Sequence, residues 1–469
     1  MLSDQKFYIY DEETFFDCFL FGGKFVGETE IQQFEISSRV NHRTELLNWC
    51  NYLQNLGVIM VGYNSIPFDY EILHVLLNQP YTFTYTTAFM LAQQLTSFSF
   101  GSRVNTIRPN ERFIRQLDLM KLHHFDNATK ATSLKALQFA MRSQTVEDLP
   151  FDFTKPLEHW QMDKLRSYHR HDLTETEKFF WKSKPMIDIR LELLQTGVLS
   201  GDVLNYSDVK IGTEYLVKKL GRAKCYISGS TPRQTKRDQI DFKDVILPKI
   251  EYRTEPFNGV LSWFKSQRIF VKSEERPRLS TRLADLEFHF GVGGVHASVE
   301  SQRFETTGTH IIRDVDVAGM YPAVAIANGF APEHLGSDFV AAYKQLALDR
   351  KNYAKGTTMN LILKLAGNGA SGNFENPFSP LYDVKCAYQI RINGQLQLIQ
   401  LAELLHMIPG VQLIQANTDG ITAYVPREVE CFFDLWCNEW ECMTGLKLEH
   451  TRYNRMWIRD VNSYLAEEL

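Results

Sequence analysis

Hydrophobic and polar positions in the first part of the chain alternate between a period of two and a period near 3.6 residues. Residues 7–30 predict two strands, FYIY and FFDCFLF, on either side of acidic residues. Residues 42–58 predict a helix, and 58–63 (VIMVGY) predict a short buried strand. Apolar residues recur at helical spacing in 132–142 and again in 161–181. Strands that alternate with helices predict a compact α/β domain over about the first 185 residues.

The rest of the chain shows a different pattern. Residues 186–285 predict a mostly helical connector, with the polar stretch 229–239 as a surface loop. Strand-like segments then return, at 309–317, 411–416 and 421–425. Between them, 339–368 predicts two helices broken near Gly356. This part is therefore expected to be an antiparallel sheet interrupted by a helical hairpin.

Composition narrows the class of protein. The chain has 469 residues, 44% of them hydrophobic, which is typical of packed cores in about three domains. Most of the 32 Phe and 20 Tyr must pack in cores, and a minority could stack on bases. The net charge of −5 argues weakly against a protein that coats DNA by charge alone.

The cysteines and the chain termini bear on the cellular compartment. Seven Cys without a CxxC pair predict free thiols in a reducing compartment rather than a zinc site or a disulfide scaffold. No basic-then-apolar leader and no run of about 20 apolar residues occurs, so we expect no membrane segment. The expected location is the cytoplasm of the host cell.

Acidic residues at three places in the first part of the chain form one candidate site. Asp11 and Glu13 share one face of a strand, and Asp69 follows the short strand at 58–63. Tyr168 and Asp172 lie one helical turn apart. Each pair alone is a common surface feature, but together they predict a site for two Mg²⁺ or Mn²⁺ ions that hydrolyses phosphodiesters. The Tyr168 hydroxyl could orient the attacking water.

These residues resemble the motifs of the proofreading domain of family B DNA polymerases. That family carries D-x-E, N-x(2–3)-F/Y-D and Y-x3-D, which match Asp11 to Glu13, Asn64 to Asp69, and Tyr168 with Asp172. The resemblance implies an RNase H-like 3′–5′ exonuclease with metal ligands Asp11, Glu13, Asp69 and Asp172. It also implies contacts to a single-stranded DNA 3′ end by Thr14, Asn64 and Phe68. Ser133 and Leu134 match a DNA-contact motif of protein-primed phage polymerases, although core packing of Leu134 explains that match equally well.

A second candidate site lies in the last third of the chain. Asp316 ends an apolar strand, and Asp419 lies at the tip of a predicted hairpin. With two Mg²⁺ or Mn²⁺ ions, these carboxylates would suit nucleotidyl transfer to a primer 3′-hydroxyl. Lys364, helped by cations of the preceding helix, would hold a triphosphate. The helper cations are Arg350, Lys351 and Lys355.

The order of the motifs again resembles family B polymerases. That family carries D-x2-S-L-Y-P, then K-x3-N-S-x-Y-G, then D-T-D-S. The matching residues in this chain are Asp316 to Pro322, Lys364 to Gly372, and Asn417 to Gly420. The resemblance implies a metal set of Asp316, Val317 and Asp419, and dNTP contacts that include Tyr321 under the sugar and Asn368. It also implies DNA contacts by Gly293, Gly294 and Tyr464, and its closest type is the compact polymerase of bacteriophages.

The implied architecture is multidomain, α/β followed by α+β. Its segments are an exonuclease at 1–185, a connector at 186–285, a palm at 286–340 and 373–469, and a short fingers hairpin at 341–372. The partners implied are primer–template DNA, dNTPs and a single-stranded 3′ end, bound by a monomer. A thumb is expected to be missing after Tyr464, whether by nature, by removal or because an accessory chain supplies it.

Three departures from the family pattern leave other functions open. Asn417 replaces an Asp, Ser371 replaces an aromatic residue and Asn462 replaces a Lys. An exonuclease whose polymerase half only binds DNA is therefore the main alternative. A non-catalytic replication scaffold is the weakest of the three hypotheses. Such a scaffold would have no reason to keep two clusters of carboxylates, because unpaired buried acids cost stability unless metals or protons compensate them.

Overall fold

The chain forms two compact units, Met1–Ile211 and Gly212–Leu469. The computed structural model describes residues 5–97, 107–127 and 130–469. The domain boundary predicted at 185 falls inside a long helix, His159–Gln195. Buried Phe180, Ile187 and Leu191 keep the helical apolar spacing across that position, which explains why the helix continues.

The first unit is a five-stranded mixed sheet covered by helices. The strands are β1 (Phe7–Phe15), β2 (Cys18–Phe25), β3 (Gln32–Ser37), β4 (Ile59–Gly62) and β5 (Arg115–Asp118). The helices are α1 (Arg43–Asn55), α2 (Asp69–Asn78), α3 (Tyr85–Ser97), α4 (Leu119–Leu122), α5 (Leu134–Ala140), α6 (His159–Gln195) and α7 (Asp208–Leu220), which crosses the boundary between the units. The sheet order is β3-β2-β1-β4-β5, with β1 antiparallel to β2 and parallel to β4.

Alternation along β1 decides where its acids point. Phe7 and Ile9 pack with Leu173 and Phe180 of α6 in one core cluster. Tyr8 and Tyr10 belong to the cluster on the opposite face. Because side chains alternate along a strand, Asp11 and Glu13 continue the face that looks toward α6. The two core clusters therefore aim this pair of carboxylates at the helix that carries Tyr168 and Asp172.

The second unit is built on a large antiparallel sheet. Its strands are β10 (Leu279–Leu283), β11 (Leu286–Phe290), β12 (Val295–Ser298), β13 (Gln302–Glu305), β14 (His310–Val317), β15 (Gln412–Asn417), β16 (Gly420–Pro426), β17 (Leu448–Asp460) and β18 (Ser463–Glu468). Their order in the sheet is β10-β11-β12-β15-β16-β14-β17-β13, with β18 paired to β17. Two small ribbons accompany it, formed by β6 (Tyr226–Ser228) with β7 (Thr231–Pro232) and by β8 (Gln239–Asp241) with β9 (Arg268–Phe270).

Helices complete this unit. They are α8 (Arg222–Cys225), α9 (Glu255–Ser266), α10 (Met320–Asn328), α11 (Gly336–Lys351), α12 (Thr358–Asn373), α13 (Val384–His406) and α14 (Glu430–Thr444). Helices α11 and α12 form the helical hairpin that the sequence predicts, with Gly356 at a positive φ of 90° between them. The hairpin begins at Gly336, five residues before the fingers segment predicted at 341.

The sequence correctly predicts the mixed α/β and α+β architecture, including strands β14, β15 and β16. The segment 186–285, predicted as a mostly helical connector, contains the end of α6 and helices α7, α8 and α9, but also the short strands β6 to β10, which the sequence did not predict. Most of these strands are only two or three residues long, too short to leave a period of two in the sequence. In the described parts of the chain, no helix has the length and apolar character needed to cross a membrane.

Candidate functional site

Three predicted carboxylates meet in the first unit. One oxygen each of Asp11, Glu13 and Asp172 lies within 4.8 Å of the other two. Asp69, the first residue of α2, is 5% exposed, and its charge acts on both Asp11 and Glu13. The four acids predicted from three separate segments are thus neighbours.

Several carboxylates lie close together in this group, in partly to fully buried positions. Burial, followed by the charge of Asp172, raises the pKa of Asp11 to about 8. Burial and neighbouring carboxylates also raise the pKa of Glu13 and of Asp69. Lys135 acts in the opposite direction on Glu13 but is also paired with Asp148, with 2.6 Å between Nζ and Oδ1. Without a further cation, these acids must keep protons that they would lose in water.

Tyr168 and His169 of α6 tie the helix to the acids. The Tyr168 hydroxyl is hydrogen-bonded to Asp172, and burial raises its pKa, so it stays a protonated donor. The fully buried His169 has Nε2 3.0 Å from the Asp11 carbonyl oxygen and Nδ1 3.0 Å from the Gln33 amide nitrogen. Because a carbonyl only accepts, Nε2 carries the hydrogen, and burial lowers the pKa of His169 to about 4.

Gly22 makes room for this histidine. A Cβ at Gly22 would lie 2.4 Å from Cε1 of His169. Gly22 and Gly23 both lie inside β2 rather than in a turn. A glycine within a strand here marks a close approach of side chains.

Asp118 organises the loop between β4 and α2. This fully buried carboxylate accepts backbone hydrogen bonds from Asn64 (3.0 Å), Ile66 (3.1 Å) and Met120 (2.9 Å). Asn64 has a positive φ of 59°, a conformation that side chains other than glycine seldom adopt. Asp118 therefore stabilises the turn that places Asp69 next to the other acids.

The predicted DNA-contact residues of this unit are placed unequally. Thr14 is half-buried on β1, next to the acids in sequence. Phe68 packs against the core cluster of Tyr8 and Tyr10. Ser133 caps α5, where its hydroxyl accepts from the Ala136 N–H at 3.2 Å. This hydrogen bond gives Ser133 a structural role at the start of α5, which explains the residue without a DNA contact.

A cavity of about 520 Å³ in the second unit brings together most of the predicted polymerase residues. The predicted residues in its lining are Asp316, Val317, Arg350, Lys364, Asn368, Asn417, Asp419 and Tyr464. Asp314, Gln415, Thr422, Glu449, Tyr453 and Met456 also contribute. Carboxylates lie on the sheet side of this cavity, and α11 and α12 supply Arg350 and Lys364.

Strand register determines where the acids of this cavity lie. Asp316 is opposite Gly420 on β16 and Glu449 on β17. A Cβ at position 420 would lie 1.8 Å from Oδ1 of Asp316, so the glycine leaves the space that this carboxylate occupies. Burial, then the charges of Asp314 and Asp419, raise the pKa of Asp316 to about 7.

Asp314 is the acid that sequence reasoning did not assign. It lies two residues before Asp316, on the same face of β14, and is 8% exposed. The Thr422 hydroxyl donates to it at 2.6 Å and the Tyr453 hydroxyl at 3.4 Å. Its two-residue spacing from Asp316 was a usable signal, whereas Glu449 and Tyr453 reach the cavity only through sheet register.

The hairpin tip holds Asp419 by backbone contacts. Thr418 has a positive φ of 39°, and its N–H donates to the Val295 carbonyl at 3.0 Å. The Asp419 carbonyl accepts from the Val317 N–H at 2.7 Å. The turn is therefore fixed to both neighbouring strands, and it fixes Asp419 with them.

Five other predicted residues lie outside the cavity lining, namely Lys351, Lys355, Tyr321, Gly293 and Gly294. Lys351 and Lys355 are exposed at the end of α11 and in the following loop. The Tyr321 hydroxyl donates to the Gly293 carbonyl at 3.3 Å, and burial raises its pKa. Gly294 is close to Thr418, with 3.4 Å from a Cβ built on Gly294 to Cγ2 of Thr418. Tyr321 and the glycines thus border the hairpin tip, while the two lysines do not line the cavity.

The donor sets of both sites consist of hard oxygen ligands, which Mg²⁺ and Mn²⁺ prefer. In the first unit, the convergence of Asp11, Glu13 and Asp172 fits a divalent ion directly. In the second unit, Asp316 and Asp419 act on each other electrostatically. Among the residues that the structure describes, however, no three carboxylates of that cavity approach one another as closely as the first group. The first site therefore fits a metal better than the second.

Comparisons with known proteins give one kind of match. No protein-family model matches this sequence, and the curated proteins contain no match. Among solved structures, the family B DNA polymerase of the hyperthermophilic archaeon Pyrobaculum calidifontis is similar, with a TM-score of 0.49 and 13% identity. The similarity covers 98% of this chain and 58% of that polymerase chain. A TM-score below 0.5 does not establish a shared fold, so function has to be inferred from the chain's own side chains.

Proposed function

We propose that this protein is a DNA-directed DNA polymerase of phage type that proofreads its product with a 3′–5′ exonuclease. The observation that carries the proposal is the cavity of the second unit. It joins Asp316 and Asp419 to Lys364 and Arg350 in one space, which is the combination that nucleotidyl transfer from a triphosphate needs. On this proposal the first unit is an RNase H-like exonuclease, the large sheet is the palm, and α11 with α12 are the fingers.

In the polymerase site, each side chain has a distinct task. Asp316 and Asp419 would hold Mg²⁺ or Mn²⁺, which supplies charge neutralisation at the triphosphate and acidifies the primer hydroxyl. Lys364 and Arg350 bind the phosphates of the incoming dNTP from the opposite wall. Tyr321, anchored on the Gly293 carbonyl, lies beside the tip that carries Asp419 and bounds the sugar. Tyr464 approaches the primer end from β18.

In the exonuclease site, Asp11, Glu13, Asp69 and Asp172 would hold the metal. Tyr168 keeps its proton and donates it in a hydrogen bond to Asp172, which leaves the hydroxyl oxygen to accept a hydrogen bond from the water that attacks the phosphodiester. His169 fixes the Asp11 backbone, and Asp118 fixes the loop that leads to Asp69. The bound substrate is the frayed single-stranded 3′ end of the primer.

A second candidate function is a 3′–5′ exonuclease whose second unit only binds primer–template DNA. Two observations favour it. The tight group of three carboxylates lies in the first unit, and Asn417 brings no charge to the cavity of the second. The two functions differ in whether dNTPs are incorporated.

The deciding experiment is a primer–template assay with Mg²⁺, run with and without dNTPs on the whole chain. Extension that disappears in Asp316→Asn would support the polymerase. Primer shortening without dNTPs that disappears in Asp69→Ala would support the exonuclease. Shortening by the unmodified protein, with no extension even in Asp69→Ala, would refute the polymerase and leave the second candidate.

A further inference from the structure

The turn that carries Asp419 lacks the residues that such turns usually need. Asn417 is paired with Gly420 across the hairpin, so Thr418 and Asp419 form a two-residue loop. Two-residue hairpin loops favour Gly, Asn or Asp where the backbone has a positive φ. Here Thr418 has the positive φ, at 39°, a conformation that a β-branched residue seldom adopts. The loop is therefore strained, and contacts from outside the hairpin have to hold it.

Three consecutive residues at the start of β12 supply these contacts. Gly294 lies against the Thr418 side chain, where even a Cβ would be in van der Waals contact, 3.4 Å from Cγ2. The Val295 carbonyl accepts from the Thr418 N–H at 3.0 Å. Nε2 of His296 lies 3.2 Å from the Thr418 hydroxyl oxygen. We call Gly294, Val295 and His296 the Thr418 clasp.

The direction of the hydrogen bonds shows what His296 contributes to the clasp. The Thr418 hydroxyl donates its one proton to Oδ1 of Asn417, 3.4 Å away. The hydroxyl therefore accepts from His296, and Nε2 of the imidazole carries the hydrogen. A chain of donors thus runs from β12 across the hairpin tip to β15.

Strand pairing places His296 in the same row of the sheet as Asp316. His296 is opposite Asn417, Asn417 is opposite Gly420, and Gly420 is opposite Asp316. Side chains that lie directly opposite each other in an antiparallel sheet point to the same face. His296 therefore lies on the face that carries the acids of the cavity, at the other end of the row.

We propose that His296 is a positioning residue of the polymerase site, which holds Thr418 in its strained conformation and so keeps Asp419 in place beside Asp316. The inference rests on the proposed polymerase function and adds a residue that the sequence motifs do not include. Without the imidazole, Thr418 relaxes toward negative φ and Asp419 moves with it. Since Lys364 and Arg350 hold the triphosphate from the opposite wall, the loss should fall on kcat rather than on KM.

The test measures kcat and KM for dNTPs on primer–template DNA with Mg²⁺. His296→Phe keeps a ring but removes the donor, and should lower kcat about tenfold or more with KM changed less than about twofold. His296→Gln, whose side-chain amide can donate from the position of Nε2, should recover most of this loss. Primer shortening without dNTPs should be the same in both variants as in the unmodified protein.

The matched control is His289→Phe. His289 lies opposite His296 on β11 and contacts Ser280, with 2.7 Å between Nδ1 and Oγ. This variant loses an imidazole from the same row without changing the clasp, so its kcat should equal that of the unmodified protein. Equal losses in His289→Phe and His296→Phe would overturn the proposal, because they would show a general effect of the row.

Thr418→Gly tests whether backbone strain is what the clasp opposes. Glycine adopts a positive φ without strain, so a tip with this substitution needs no imidazole to hold it. Adding His296→Phe to Thr418→Gly should therefore cause no further loss of kcat or of amide protection at the tip. The same loss in both backgrounds would overturn the role of strain.

Hydrogen exchange separates this inference from the proposed function. Without metal or DNA, the Thr418 and Asp419 amides should exchange about fivefold faster or more in His296→Phe than in His289→Phe, the effect of losing one hydrogen bond. This difference is expected even if the chain extends no primer, a result that would refute the polymerase and leave the clasp standing. Unchanged exchange in His296→Phe, or faster exchange without any loss of kcat, would overturn His296 as a positioning residue.

Discussion

Asp118 offers the most direct test of how the exonuclease site is held together. Its two oxygens accept three backbone hydrogen bonds in a fully buried position, and it contributes no oxygen to the group of three converging acids. In Asp118→Asn one oxygen can still accept from Asn64 and Met120, but the Ile66 N–H then faces an amide. In Asp118→Ala all three donors lose their partner.

The magnitude follows from the number of bonds lost. A hydrogen bond to a charged group contributes about 1.5–3 kcal/mol, so three of them give about 5–9 kcal/mol. Both variants also relieve the burial of a charge, which in the unmodified protein raises the pKa of Asp118. We therefore expect losses in unfolding free energy of about 2 kcal/mol for the Asn variant and about 4 kcal/mol or more for the Ala variant.

The assay combines urea unfolding with hydrogen exchange and the two activities. Exchange should accelerate at Ile66 in the Asn variant, and at Asn64 and Met120 as well in the Ala variant. Exonuclease activity should fall about a hundredfold, since a displacement of about 1 Å in a catalytic group has that effect, while extension should persist. Asp126→Ala, which removes only an exposed pair with His124, is the control and should lose at most about 1 kcal/mol. A loss below about 1 kcal/mol in Asp118→Ala with unchanged exchange would refute this account of the loop.

Three further predictions concern protons, charge and phosphate binding. The pKa values of Asp11 and Asp316 are raised from 3.8 to about 8 and about 7, so the protein without metal should lose stability as pH rises from about 4 to 8. Mn²⁺ added at pH 8 should restore that stability. A melting temperature that stays constant over this pH range in EDTA would contradict these shifts. Asn417→Asp adds a negative charge to the cavity and should lower the Mg²⁺ concentration for half-maximal extension about tenfold. Asp314→Asn removes a negative charge from the same cavity and should raise that concentration about tenfold. Mg²⁺ titrations that coincide for both variants would count against a shared electrostatic role. Lys364→Gln should raise KM for dNTPs about tenfold or more. The control Lys344→Gln, on α11 and outside the cavity lining, should leave this KM unchanged. Equal effects of the two substitutions would indicate a general loss of charge.

Local patterns predicted the parts of both sites that lie on single elements. The two-residue spacing of Asp11 and Glu13 and the four-residue spacing of Tyr168 and Asp172 were enough to place each pair on one face. Contacts that depend on strand register could not be predicted from the sequence, because Glu449 lies opposite Asp316 only when β17 pairs with β14. The buried supports were also missed, since Asp118 resembles any acid at a strand end until its three N–H partners are known.

Residues that are far apart in the sequence become neighbours at the hairpin tip between β15 and β16. Asn417 and Gly420 flank the hairpin tip, and Asp314 lies behind Asp316 on the adjacent strand β14. Asn417 contributes an uncharged amide to the cavity from β15, while Asp314 contributes a carboxylate to the same cavity from β14. Gly420 leaves room for the Asp316 carboxylate where a Cβ would collide with it. The cavity therefore holds four carboxylates, those of Asp314, Asp316, Asp419 and Glu449, although Asn417 contributes none, so the amide at position 417 does not by itself leave the cavity short of metal-binding oxygens.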